Sequence, residues 1–533
     1  MDLYSESLSY KEKLIELRRE FHRYPARTGK EEPTIERIDK KLTKLGIGHE
    51  VIDEGGILAY IYGKGFEPEE GKEPWLAGYV EDGDTCLATD AVKHPEAVKI
   101  ALSSNSAAGR VVSAVNSATD FIKEKILRKD ASAEGTRKTK EKASDNDTEG
   151  SSGSRTTLTW KMKTVVIRAD VDALPVQESE CNLKGIKVCV SEVPGVSHTC
   201  GHDAHMAMAL AEAEFLQNHR ELINGRVIFL FERGEEGPNN IIRIYRRIMQ
   251  KNLHFDTVYG NHVYYDLESG KMAIQPGPVM AGGVFFKMII RGRGGHGSRP
   301  DMAVNPIDCY VAVMNAMNDF RMKHVDPFHP ITYAPTIVQS GSADNIIPGE
   351  LTFGGNLRIY EHEDGVEFKK YFKDTLDHIC PLYGCEYETM YNIGPKMPVK
   401  NDPDCTALCE KAVGEAIGAN RIVQIQPWMA NESICSTMAI WPGVYTFLGT
   451  KNPEKGAGAL HHSPEFDIDE DVLPLGMAAA LAYTFAFLDS DVKPSHGWFK
   501  GSIPDLYDIS GYGEEKVNYL RYGTPCEIHE GLR

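Results

Sequence analysis

The residues best suited to chemistry form one short run with three histidines, a cysteine and an aspartate: His198-Thr199-Cys200-Gly201-His202-Asp203-Ala204-His205. Their nitrogen, sulfur and oxygen atoms are the ligands that Zn, Mn, Ni or Co sites use. A lone His or Cys usually only packs, but this density predicts a metal role. Apolar residues then recur at helical spacing, which predicts a helix over 204–219 with Asp203 as its N-cap.

Two adjacent carboxylates, Glu235 and Glu236, stand between two glycines after an apolar run. One can bind metal while the other stays free as a general base, as metal-assisted hydrolysis requires. On their own they fit a solvated acidic turn better than a metal site. His262 and the pair His461-His462 carry little weight alone, since a histidine beside Gly or Pro usually belongs to a turn. They become ligand candidates only together with the first two clusters.

The elements that must position these side chains are short apolar runs at 164–168, 226–231 and 256–260. Such runs, separated by helical patterns, predict buried parallel strands of an α/β domain. Ligands of such sheets bind at the carboxyl ends of the strands. The polar residues that follow each run are therefore expected to meet.

A second unit is predicted over 283–392. Its expected elements have the β-α-β-β-α-β order of a ferredoxin-like domain: strand 284–290, helix 305–322, strands 331–339 and 350–360, helix 365–380 and strand 385–391. This unit interrupts an α/β domain that we expect over 1–282 and 393–490. Residues 491–533 form a tail, expected to pack on the surface, to which no chemistry is assigned.

Composition argues for a multidomain intracellular protein. The 533 residues carry 59 Lys+Arg against 77 Asp+Glu, a net charge of -18, so the basic surface of a nucleic-acid binder is missing. Eleven cysteines without a paired Cys-x-x-Cys predict free thiols. Residues 1–20 are highly charged, which favours an amphipathic surface helix over a signal peptide. The uncharged stretch 472–488 is too short for a membrane span and predicts a buried helix. We expect a cytoplasmic location, with no membrane or nucleic-acid partner.

Residues 63–163 show no clear pattern of elements. Their second half, 123–155, is rich in Lys, Glu, Ser, Gly, Asp and Thr. Such a segment cannot bury enough apolar surface for a core, so we expect a solvated or disordered insertion.

Taken in order, the motifs resemble the aminoacylase, hippurate hydrolase and auxin-conjugate amidohydrolase group of the dinuclear metallopeptidases, which also include carboxypeptidase-like enzymes. The resemblance covers residues 14–62 and about 164–488. It rests on Leu17-Arg18-Arg19-Glu20-Phe21-His22-Arg23-Tyr24-Pro25, Ile167-Arg168-Ala169-Asp170-Val171-Asp172-Ala173-Leu174-Pro175, the Cys-Gly-His-Asp box, Glu-Glu-Gly, Gly294-Gly295-His296-Gly297-Ser298, Asn345-Ile346-Ile347-Pro348 and His-Ser-Pro. It implies an α/β catalytic domain with an inserted ferredoxin-like lid that makes a homodimer.

The resemblance also implies roles for individual residues. Cys200 is expected to bridge two divalent metal ions (Mn, Zn, Ni or Co), and Glu235 to act as the general base. Asp170 and Asp172 are expected to orient the ligand imidazoles, and the less favoured alternative is that they cap a strand-ending turn. The remaining metal ligands are His202, Glu236, His262 and His462, the last preferred to His461 because it directly precedes Ser-Pro.

Three lid residues receive roles in the same way. His296 resembles the histidine that steadies the tetrahedral oxyanion, often in a partner subunit's site, although a turn histidine that caps backbone groups is the alternative. Asn345 and Arg358 fall in motifs that hold the substrate carboxylate. The chain departs from the family at Glu232-Arg233-Gly234, where Gln-Pro-Ala is usual. Those added charges beside the base leave substrate preference open.

The predicted reaction is hydrolysis of the amide bond in a small N-acyl amino acid or peptide-like conjugate. Two alternatives stay open. One is an acyl-enzyme route through Cys200, and the other is a scaffold that binds acyl-amino acids without cutting them.

Overall fold

The computed structural model describes residues 1–68, 70, 72–74, 162–237, 240–492 and 497–524. Sixteen strands are assigned in this part of the chain: β1 Gly48–Ile52, β2 Gly56–Tyr62, β3 Thr164–Asp170, β4 Arg226–Glu232, β5 Thr257–Glu268, β6 Met272–Ala273, β7 Gly277–Met280, β8 Gly282–Arg291, β9 Gly295–His296, β10 Ile331–Ser340, β11 Ile346–Ile347, β12 Glu350–Ile359, β13 Glu386–Lys396, β14 Val399–Asn401, β15 Ile422–Val423 and β16 Gly443–Lys451. Most of the predicted insertion, including 123–155, lies outside the described residues.

The α-helices lie between and after these strands. In the described ranges they are α1 Leu3–Ser9, α2 Lys11–Arg23, α3 Glu32–Lys44, α4 His202–Asn218, α5 Ile241–Lys251, α6 Pro306–Lys323, α7 His362–Leu382, α8 Pro403–Ile417, α9 Ile434–Ile440, α10 Leu473–Asp489, α11 Ile503–Ile509 and α12 Glu514–Tyr522.

An eight-stranded sheet in the order β1-β2-β4-β3-β5-β16-β6-β15 forms the frame of the α/β part. The three strands predicted from apolar runs are its neighbours β4, β3 and β5, and they pair in parallel. β3 and β4 are buried at every position, as expected where helices cover both faces of a parallel sheet. Helices α2, α3, α4, α8 and α10 pack into one core, and α5, α9, α11 and α12 pack into another.

The prediction that a strand ends before His262 was wrong. β5 continues to Glu268 because β16 pairs with it in parallel, with Phe447 opposite His262. Arg168 on β3 is level with Gly260 on β5. His262 therefore stands inside a strand, level with the end of β3.

The prediction that Asp203 caps the following helix was also wrong. Helix α4 begins at His202, and its N-cap is Gly201 at φ 92°, where a β-carbon would come within 2.3 Å of a Val263 methyl group. The carboxylate of Asp203 instead contacts two buried side chains of α2: it forms an ion pair with Arg18, at 2.7 Å from Nε, and accepts a hydrogen bond from His22 Nδ1 at 2.8 Å. The N-terminal helices thus anchor the metal-binding loop rather than lying free on the surface.

The second unit has the predicted elements. Its antiparallel sheet has the order β10-β12-β8-β13, the strand order of a ferredoxin-like fold, and helices α6 and α7 pack on it around a core of their own. Its role as a lid stays a prediction.

Three further predictions concern burial and thiols. The segment Glu470–Asp489 is apolar and long enough to cross a membrane, but 83% of its most apolar window is buried inside the protein, as a core helix would be. The nine described cysteines are free thiols. The tail packs more deeply than expected, because Tyr507 of α11 and Leu520 of α12 are buried in the second core.

Candidate metal centre

The predicted ligands converge at the carboxyl ends of β3 and β4 and on the neighbouring part of β5. Three sets of side chains have ligand atoms within 4.8 Å of one another: Cys200 with His202 and His262, Cys200 with Glu236 and His462, and His202 with Glu235 and Glu236. Residues up to 262 positions apart in the chain thus meet in one place, and the thiol of Cys200 belongs to two of the sets.

Two imidazoles are held in the orientation that metal binding needs. His202 Nδ1 donates to the Asp172 carbonyl at 2.9 Å, and His262 Nδ1 donates to the Val263 carbonyl at 2.6 Å. With Nδ1 engaged in this way, Nε2 is the ring nitrogen left to face a metal ion. His202 Nε2 is buried and has no hydrogen bond from any described residue, and His262 Nε2 lies 3.6 Å from Cys200 Sγ.

His462 fits the ligand role better than its neighbour His461. His462 Nε2 lies 3.0 Å from Glu236 Oε1, and its backbone adopts φ 66°, a conformation that costs a non-glycine residue about 1–3 kcal/mol and clusters at functional sites. His461 packs instead against the rings of Trp428 and Phe466. The geometry supports the preference for the histidine before Ser-Pro.

The acidic groups of the centre repel one another. Burial and the carboxylates of Glu432 and Glu236 raise the pKa of Glu235 well above its usual value near 4.5. Burial, together with Glu236 and Glu235, also raises the pKa of the Cys200 thiol well above 9. Divalent cations complement such a pocket because they stabilise carboxylates and a thiolate together.

Asp172 connects several parts of the site. Its Oδ2 accepts the Glu236 backbone N–H at 2.9 Å and the Thr28 hydroxyl at 2.7 Å, while Oδ1 lies 3.3 Å from His202 Nδ1. Burial lowers the pKa of His202, but Asp170 and Asp172 outweigh it and raise that pKa to about 10. These contacts support the predicted orienting role, because they fix the ring and increase the basicity of its free nitrogen.

His205 shows why the dense histidine run does not supply three ligands. Its Nδ1 donates to Asp170 Oδ1 at 2.6 Å, and its Nε2 accepts the Val263 N–H at 3.0 Å. Both nitrogens are therefore in use. His205 fixes Asp170 and the end of β5 instead of facing the centre.

The sequence reasoning assigned no role to three residues around the base. Glu235 Oε1 accepts the Ser433 backbone N–H at 3.2 Å, and the preceding Glu432 is paired with Arg168 Nη2 at 2.8 Å. Arg168 was recognised only as part of a sequence motif. Glu432 and Ser433 lie 197 residues or more from Glu235, in a segment whose sequence has no recognisable motif, so nothing in the local sequence indicates their role.

The charged side chains of Glu232 and Arg233, which precede the proposed base Glu235, form ion pairs with other residues. Glu232 pairs with Arg168 at 2.7 Å. Arg233 pairs with Glu31 at 2.9 Å and with Glu32 at 2.6 Å. The departure from the family pattern therefore forms internal ion pairs rather than a charged wall of the substrate site.

Residues 166–485 match the model of peptidase family M20/M25/M40. The chain belongs to this family. As a member of it, the chain is a metal-dependent hydrolase of amide bonds, in agreement with the prediction.

Relatives of this M20/M25/M40 member include a thermostable carboxypeptidase of Saccharolobus solfataricus, 34% identical over 322 residues that cover 60% of this chain and 79% of that protein. An IAA-amino acid hydrolase of Arabidopsis thaliana is 30% identical, covering 58% and 70%. The fold resembles an aminohydrolase from methicillin-resistant Staphylococcus aureus (TM-score 0.66, 23% identity, 92% and 99% covered) and a dinuclear metal-binding peptidase from Bacillus subtilis (0.60, 19%, 90% and 99%).

In this family member the three predicted lid residues are separated: two lie at the two-stranded sheet of β9 and β11, and the third lies in the four-stranded lid sheet. His296 and Asn345 are neighbours, since His296 pairs with Ile346 and the Asn345 carbonyl accepts the Gly297 N–H at 2.8 Å. Arg358 lies at the other end of β12, eight residues from Glu350, or about 27 Å along an extended strand. The structure does not bring His296 and Asn345 to Arg358 within one chain.

Proposed function

We propose that the chain hydrolyses N-acyl amino acids or peptide-like conjugates with two divalent metal ions. The observation that carries the proposal is the convergence of two buried imidazoles, His202 and His262, with the Cys200 thiol and the carboxylates that follow β4. The proposed ligands are Cys200, His202, Glu236, His262 and His462.

Cys200 is the natural shared ligand. Its sulfur is close to His202 and His262 on one side and to Glu236 and His462 on the other. A thiolate in that position can serve both groups at once. The soft sulfur with nitrogen and oxygen donors suits Zn, Mn, Ni or Co rather than Mg or Ca.

Bound divalent ions supply Lewis-acid polarisation of the scissile carbonyl and lower the pKa of water. Glu235 accepts the proton of the attacking water at a carboxylate oxygen and returns it to the leaving amine nitrogen. The Ser433 N–H holds Oε1 of Glu235, which leaves Oε2 for the proton.

The two rival functions are less well supported. An acyl-enzyme route needs a Cys200 thiolate that is free to attack, but burial and the adjacent carboxylates keep its thiol protonated unless a cation binds it. A non-catalytic binding protein has no need of a carboxylate base beside a complete donor set.

The relatives' names indicate the substrate class. Besides the carboxypeptidase and the IAA-amino acid hydrolase, they include an N-acyl-L-amino acid amidohydrolase of Geobacillus stearothermophilus. We further propose a cytoplasmic homodimer in which the ferredoxin-like unit acts as lid and contact surface.

The test is Glu235→Gln in protein loaded with Mn or Zn. We expect hydrolysis of N-acetyl-, N-benzoyl- and indole-acyl-amino acids to fall at least 10²-fold with metal content unchanged, because the amide keeps the shape but cannot accept a proton. Chelator should abolish wild-type activity and added metal should restore it. Glu454→Gln, at an exposed glutamate, is the matched control. Parallel loss of metal and activity would make Glu235 a ligand, and chelator-resistant hydrolysis would contradict the proposal.

A further inference from the structure

Two cationic side chains meet on one aromatic ring at the end of the lid sheet nearest the α/β part. Arg358 Cζ lies 4.8 Å and Lys396 Nζ lies 5.4 Å from the centroid of the Phe285 ring. In the sheet register both residues pair with Gly283, one on each side. Because Gly283 has no side chain, the Arg358 side chain can lie over it, with its Cδ 3.4 Å from where a β-carbon of Gly283 would stand.

Neither cation has an acidic partner. No ion pair or hydrogen bond from a described residue reaches Lys396 or Arg358, and Arg358 Nη1 is buried without a hydrogen bond. Burial lowers the pKa of both groups. Both side chains are half-buried. Charges withdrawn from water are normally paired, so two uncompensated cations side by side indicate a ligand that carries negative charge.

The end of the lid sheet that carries the cations is joined to residues beside the metal centre. Burial lowers the pKa of Lys396, while the Cys435 thiol and the Glu235 carboxylate raise it. Two residues beyond Arg358, the Tyr360 hydroxyl donates to the Pro427 carbonyl at 2.6 Å, next to Trp428, whose ring lies 5.7 Å from that of His262. A ligand bound by the cations would therefore extend toward the metal centre.

We infer that Lys396 is a specificity-determining residue that, beside Arg358, selects N-acyl amino acids carrying two carboxylates, such as N-acyl-aspartate or N-acyl-glutamate. The inference rests on the proposed function and deepens it. Arg358 holds one carboxylate, as expected from the sequence, and Lys396 holds the other. A single carboxylate carries one negative charge and would leave one of the two cations uncompensated.

The closing experiment compares N-acetyl-glutamate with N-acetyl-glutamine, which differ in charge but hardly in shape. Wild-type protein should prefer N-acetyl-glutamate by about 10-fold or more in kcat/KM, mainly through KM. Lys396→Met should lose this preference, while its hydrolysis of N-acetyl-glutamine stays within about twofold of wild type. Lys396→Arg should retain most of the preference. Lys400→Met is the matched control, because the Lys400 ammonium is already paired with Glu361 at 2.5 Å.

Calorimetric binding of both compounds to the Glu235→Gln protein, with and without Lys396→Met, gives a readout that needs no turnover. Thermal stability gives another, since loss of an unpaired half-buried cation should leave the Tm equal or higher, whereas a structural role would lower it. Equal effects on both compounds, or no charge preference in wild-type protein, would overturn the inference. Absence of chelator-sensitive hydrolysis of every acyl-amino acid would instead overturn the proposed function.

Discussion

Arg168 donates a hydrogen bond from Nε to Glu232 Oε2 at 2.7 Å, and both side chains are buried. The same guanidinium also binds Asp170 and Glu432, each through its own nitrogen. One positive charge is thus shared among three carboxylates. The buried cluster carries excess negative charge, and this has a consequence for the pH dependence of stability.

The first prediction is that Glu232→Gln flattens this pH dependence. Burial, outweighing Arg168, raises the pKa of Glu232 to about 7 from 4.5. The folded protein therefore keeps a proton that the unfolded chain loses, so the stabilisation present below pH 4.5 disappears as pH rises through 7, by up to about 3 kcal/mol. Glutamine stays neutral throughout. Between pH 5 and pH 8 the free energy of unfolding should fall less in Glu232→Gln than in wild type or Glu454→Gln. Equal falls in the three proteins would contradict the raised pKa of Glu232.

The second prediction concerns the ion pair that replaces the family's usual residues before the base. Arg233→Met should destabilise the protein by about 3–5 kcal/mol, because it leaves the buried carboxylate of Glu31 without its cation. Adding Glu31→Gln should recover most of that loss. Chemical denaturation measures both variants, with Arg299→Met as control because its partner Asp301 is exposed. Failure of the double variant to recover would show that the pair is not the cause.

The sheet and the ferredoxin-like unit could be predicted because their signals are local. The runs at 164–168 and 226–231 lie in strands that are buried on both faces, and each run ends within two residues of the end of its strand. The strand through His262 failed this rule, since its extension depends on pairing with β16, nearly two hundred residues later.

The charge networks could not be predicted, for the same physical reason. Asp203 has the right type and place for an N-cap, and only the approach of Arg18 and His22 from α2 takes its carboxylate away. The metal ligands could be proposed because donor types are dense near Cys200. The groups that fix them, such as Thr28 on Asp172, lie in segments with no distinguishing pattern.

The third prediction concerns the segment 123–155, which lies outside the described residues. Its composition cannot supply a hydrophobic core, and long surface loops cost little entropy to close. Replacing it with a short Gly/Ser linker should leave a folded, active enzyme. Expression, the Tm and hydrolysis of an N-acyl amino acid measure this, and collapse of any of them would mean that the segment packs on the enzyme or on a partner.

The last prediction is that His296 serves the site of a partner subunit. His296 is exposed and lies beyond the far end of the lid sheet from Arg358, so it has no short route to its own metal centre. If it stabilises an oxyanion, His296→Ala should lower kcat by about 10²-fold or more with metal content and KM little changed, because the contact forms mainly in the transition state.

Mixing His296→Ala subunits with Glu235→Gln subunits shows whether His296 acts in its own chain's site or in the partner subunit's site. A heterodimer contains one site with an intact base and an intact partner histidine only if His296 works across the interface, so regained activity after subunit exchange supports a shared site. Confirmed exchange without regained activity would place His296 in its own chain's site or outside catalysis.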